Sequence, residues 1–160
     1  MDNPGPLQLT YNDGPFAIAG AGILVGDWIE DLDGMLAAAI QARFAYGGAG
    51  TSAMLYIQTS FDQGATPVDI AAIAFTTASA VDVVNLSALT PKTTPVVPAQ
   101  QALTPGTCVD GLLGDRLRAV VVVTGTYTNS TLLDVRAVVR LSIAAPRLLR
   151  ARASSSAASP

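Results

Sequence analysis

The chain reads as an all-β protein, an antiparallel, jelly-roll-like β-sandwich of about seven or eight strands. Three observations predict it. Apolar residues recur at every second position in several separate runs, the period of a strand with one buried face. Turns rich in Gly, Pro, Asn and Asp separate those runs at short intervals. No stretch carries an apolar repeat of helical period long enough to build a layer of helices.

Residues 1–15 are expected to form an extended N-terminal arm. Pro4, Gly5, Pro6, Gly14 and Pro15 block helix, and between them Leu7, Leu9 and Tyr11 alternate as a short edge strand would. Residues 16–25 predict one strand with a bulge at the glycines. Trp28, the only tryptophan, is a core or interface anchor. The acidic run Asp27, Glu30, Asp31 and Asp33 predicts a polar turn; it lacks the later bidentate Glu of a calcium loop.

Residues 35–46 are rich in alanine, which favours helix. Their period is nevertheless two: Leu36, Ala38, Ile40, Ala42, Phe44 and Tyr46 share a face, which predicts a strand. "GGAG" at 47–50 supplies positive-φ positions for a hairpin, with residues 52–60 as the partner strand. A second turn follows at Ser60–Thr66, with Asp62 capping it and Gly64 free to adopt the left-handed region. Residues 67–78 then make the third strand of a meander, and 81–89 a further short one. Four prolines between 90 and 108 exclude that stretch from a sheet interior. Such a connection is expected to run across the sandwich or onto a partner.

The two most regular strands come last. Leu117, Ala119, Val121 and Val123 share one face of the first; Leu133, Val135, Ala137, Val139 and Leu141 share one face of the second. The segment between them, containing Asn129, predicts a hairpin across which Arg116, Arg118, Asp134 and Arg136 pair. The domain is thus expected to span 16–143, with the Pro-rich excursion at 90–108. A basic, then Ser/Ala-rich C-terminal tail covers 144–160 and carries Arg147, Arg150 and Arg152. Its composition is that of a segment disordered on its own, and a partner surface is expected to hold it.

Composition narrows the function. With 160 residues the chain is long enough for one domain with a real core. Charged residues make up only 13%, against about 25% in ordinary globular proteins. That scarcity predicts a surface covered in part by other subunits. A net charge of −3 argues against a nucleic-acid binder. There is no histidine, which removes histidine acid–base catalysis and histidine metal ligation. Cys108 alone cannot build a zinc site or an internal disulfide, and agrees with a reducing compartment. "GAGILVG" at 20–26 has the wrong spacing for a dinucleotide loop. Asp62 and Asp69 are the only acids near the 60–66 turn, and nothing in the spacing pairs them for catalysis. No catalytic, cofactor or metal residue is therefore assigned. No apolar stretch suits a transmembrane helix, and the N-terminus lacks signal-peptide character, so synthesis in a cytoplasm is expected.

Four segments in series carry a resemblance. They are "IQARFAYGGAGTS", "YIQTSFDQGATPVDIAAIAFTTAS", "VNLSALTP" and "LLGDRLRAVVVVTGTYTNSTLLDVRAVVR". The series resembles small virion structural proteins of tailed bacteriophages and prophages. In that family the second segment's hairpin often reads S-x-D-G-G-x-T-W-x-D-I-A. The resemblance covers residues 35–140; Gln63 replaces a usual glycine and Pro67 a usual tryptophan. It implies a non-enzymatic protein made in the bacterial cytoplasm and built into the virion. The leading expectation is a capsid decoration (cement) protein on the major capsid protein shell. Its partners would be that shell and further copies of itself, a trimer being one symmetric arrangement, with neither membrane nor specific nucleic acid. Alternatives are a head–tail connector, tail-terminator or tail component, and a carbohydrate-binding sandwich on the particle surface. The last is weakened by the dispersal of Trp28, Tyr46, Tyr56 and Tyr127 along the chain.

Overall fold

In the computed structural model, which describes residues 5–142, those residues form twelve strands. In order they are β1 (Leu7–Gln8), β2 (Phe16–Ile18), β3 (Gly22–Val25), β4 (Met35–Ala45), β5 (Gly48–Ala49) and β6 (Ser52–Ser60). Then follow β7 (Val68–Phe75), β8 (Ala80–Ser87), β9 (Thr107–Cys108), β10 (Arg116–Thr124), β11 (Tyr127–Thr128) and β12 (Thr131–Leu141). Every pairing is antiparallel, and two five-stranded sheets pack as a β-sandwich. The first runs β1-β12-β4-β8, with β2 beside β1 on the same flank of β12. The second runs β3-β10-β6-β7-β9, and β5 and β11 form a small ribbon of their own.

The core lies where the inner faces meet. Ile40, Phe44, Leu133 and Val135 of the first sheet and Leu55, Ile57, Leu117 and Val121 of the second are all buried there. Phe44 of β4 stacks on Phe75 of β7 with centroids 5.1 Å apart, and Tyr127 meets Phe44 edge-on at 5.8 Å. Such pairs add about 0.5–1.5 kcal/mol beyond area burial.

The path of the chain differs from expectation at three places: one expected strand and two expected hairpins. Residues 16–25 are two strands in opposite sheets: β2 pairs with β12, and β3 with β10. The short break Ala19-Gly20-Ala21 carries the chain from one sheet to the other. β4 and β6 also lie in different sheets, so 47–50 is a crossover. Gly47 is required there because a Cβ would collide with the Asn129 carbonyl oxygen. Likewise β10 and β12 lie in different sheets, so Arg116 and Arg118 do not meet Asp134 and Arg136. Arg116 instead pairs with Glu30 at 3.0 Å and Asp115 at 3.1 Å, while Arg136 pairs with Asp134 on its own strand at 3.0 Å. Alternation reports a buried face; it does not say which sheet owns the strand.

The β6–β7 hairpin is as expected, and β7 begins at Val68, directly after Pro67. In β4 the register shifts between Arg140 and Leu141 of its partner, so Met35 is buried and Leu36 is exposed. Residues 5–15, expected as an arm, lie against the sandwich: Leu7 and Gln8 pair with Ala137 and Arg136, and Leu9 is fully buried. The Pro-rich connection stays on its own domain in its second half. The Asp69 amide donates to the Ala99 carbonyl, Gly106 to Ala72 and Val109 to Ile70, which closes the free edge of β7. The expected tail at 144–160 lies outside the described residues, as do 1–4.

Candidate functional site

The 60–66 turn is built from its own polar side chains. The Ser60 hydroxyl donates to Asp62 Oδ1 at 2.7 Å and accepts from the Gly64 amide at 2.8 Å; Asp62 Oδ1 also accepts from the Thr66 amide at 2.8 Å. Those donors hold the Asp62 carboxyl down to about 2, from an ordinary 3.8; the hydrogen bond from Thr66 is the largest cause. Gln63 and Gly64 both take positive φ, 60° and 92°. Asp62 is therefore the keystone of a turn, as expected: its Oδ1 is engaged by Ser60 and Thr66, while the residue itself is exposed.

Gly64 has a second role. The Trp28 indole lies where a Cβ on Gly64 would stand, so the turn rests on the tryptophan. Arg118 also lies over the ring, its guanidinium carbon 4.3 Å from the centroid. Arg118 Nε donates to Gln58 Oε1 at 3.0 Å, and Gln58 Nε2 donates to Asp69 Oδ1 at 2.8 Å. Asp69 Oδ2 then accepts from the Ala102 and Leu103 amides at 3.0 and 3.4 Å. This chain of contacts crosses the outer side of the second sheet and ties the acidic loop, three strands and the Pro-rich connection into one unit. Gln58 is fully buried and Asp69 is 4% exposed, so each donor and acceptor matters. Burial and the Asp69 charge raise the Tyr56 phenol above its ordinary value.

Asp62 and Asp69 are thus held by different partners, one exposed and one buried. Asp27 accepts from the Asn12 amide, and Glu30 pairs with Arg116. Among the described residues, no His, Cys, Asp or Glu grouping is arranged to hold a metal ion. Sequence reasoning missed Gln58, Asp69 and Arg118 as a network. The available signal was a polar side chain inside each of three runs otherwise apolar enough to be buried.

Two surface regions remain. The outer face of the first sheet sets apolar side chains beside cations. In register across β8, β4 and β12 stand Val81, Arg43 and Asp134, then Val83, Gln41 and Arg136, then Asn85, Ala39 and Val138. Val81, Val83 and Val138 are each at least half exposed, at 51%, 67% and 51%. A cleft of about 500 Å³ lies elsewhere, between Phe61, Val68 and Leu112 on one side and Pro95, Val96 and Pro98 on the other.

Comparison with known proteins finds no match: no family model, no curated protein and no solved structure matches the chain.

Proposed function

We propose that this chain is a structural protein of a tailed-phage virion, acting as a capsid decoration protein that binds the major capsid protein shell. In this reading the protein works by interface burial and carries out no catalysis. The resemblance over residues 35–140 supports the virion assignment. The observation that carries the decoration role is the outer face of the first sheet, where exposed valines sit beside Arg43, Arg136 and Arg140. Apolar area removed from water contributes roughly 25 cal/mol per Å², and many copies on one shell multiply a modest contact.

Quantitative mass spectrometry of purified virions tests it. A decoration protein is present at on the order of hundreds of copies per particle. A count of roughly six or twelve, the size of a ring, would replace this role by a neck or tail one. Absence from the particle would end the virion reading altogether.

A further inference from the structure

Strand edges in this fold are managed unevenly. β1, β2, β3 and β9, which flank the two sheets, are between two and four residues long. β7 is covered by its own Pro-rich connection. β8 is different: it is eight residues long and, among the described residues, pairs on one side only, with β4. It contains neither proline nor lysine, and its one charge is Asp82.

The free part of that edge has definite limits. At its end, the Ser87 amide donates to Asp110, and the Ser87 carbonyl accepts from the Gly111 amide. Beyond residue 86 the edge is therefore taken. Because Ser87 directs its backbone groups away from β4, so do Asn85, Val83 and Val81, two residues apart along the strand. The open edge is 80–86, and its midpoint is Val83, the most exposed large apolar side chain of β8 at 67%.

We propose that two copies of this chain associate edge to edge through β8, antiparallel, about a two-fold axis at Val83. Register follows from geometry. A two-fold axis perpendicular to the sheet keeps the same face up in both copies, so opposing residues must share a face. Centring on Val83 gives the greatest overlap. It sets Val83 against Val83 of the second copy, and Val81 against Asn85, all pairs that exchange backbone hydrogen bonds. Centring on Asp82 would oppose two carboxylates directly, which is unfavourable; in the Val83 register Asp82 faces Val84. The result joins the two first sheets into one continuous sheet and brings the exposed valines together. The association does not depend on the virion assignment.

The test uses the full chain. Light scattering coupled to size exclusion, over a concentration series, should give twice the 16.3 kDa chain mass. Val83→Pro removes the central donor at an edge position where proline is tolerated. It should weaken association at least about tenfold and leave the circular dichroism unchanged. A second set of variants, in a Cys108→Ser background, reads the register without relying on that one. Val83→Cys should cross-link to itself under mild oxidation. Val81→Cys should not, but should cross-link when mixed with Asn85→Cys, since disulfides require Cα atoms within about 7 Å. A monomer at every concentration overturns the proposal. So does a dimer in which Val83→Cys fails to cross-link.

Discussion

Arg118 and Trp28 stand face to face, the guanidinium carbon 4.3 Å above the ring, and this contact begins the polar chain that ends on the Pro-rich connection. Arg118→Met should remove the cation and leave buried Gln58 Oε1 without its donor. The expected loss is about 2 kcal/mol in urea unfolding. Trp28 is the sole tryptophan, so its emission reports the change directly and should shift to the red. Unchanged stability would show that the contact contributes nothing.

Asp69→Ala should cost about 3 kcal/mol, because Gln58 Nε2 and the Ala102 and Leu103 amides lose their shared acceptor. Hydrogen exchange should rise most in residues 99–109. Uniform acceleration across both sheets would mean that Asp69 does not anchor that segment.

Gly47→Ala and Gly20→Ala form a matched pair. The first drives a methyl group into the Asn129 carbonyl and should destabilise by at least about 2 kcal/mol. The second meets nothing within 4 Å and should be neutral or stabilising by up to about 1 kcal/mol. Thermal melts of the two variants decide it; equal shifts would contradict the crossover packing.

The Asp62 carboxyl has a folded value depressed to about 2 from 3.8. A depressed acid contributes stability above its unfolded value, and the contribution is lost as pH falls through the folded one. The Thr66 amide resonance should therefore titrate with a midpoint near 2, and the turn should loosen between about pH 4 and pH 2. Asp62→Asn should abolish that titration. A midpoint close to 4 would show that the turn's hydrogen bonds do not hold the carboxylate.

The long strands were legible in the sequence; the short strands β5 and β11, the split of residues 16–25, and the sheet each strand joins were not. The alternation of Ala38, Ile40, Ala42 and Phe44 located β4 despite its alanines, because burial on one face overrides helix propensity. The same alternation was silent about pairing. Gly47 and Asn129 look like hairpin residues, yet they pack against each other where the chain changes sheets. The turn chemistry of Ser60, Asp62 and Gly64 was readable because it is local. The Trp28–Arg118–Gln58–Asp69 chain was not, because Trp28 and Arg118 are far in sequence from the hairpin that carries Gln58 and Asp69 and reach it only when β10 aligns with β6.

One topological fact sets the pace of folding. Among the described strands only β6 and β7 pair as neighbours along the chain; β12 must find β4, β1 and β2, and β10 must find β6 and β3. Long loops have to close before most of the sheet is rewarded, which places such a chain in the millisecond-to-second class of folders. The hairpin whose tip is Ser60–Thr66 is the one nucleus that can form early, so its turn residues influence the rate of folding as well as the stability of the product.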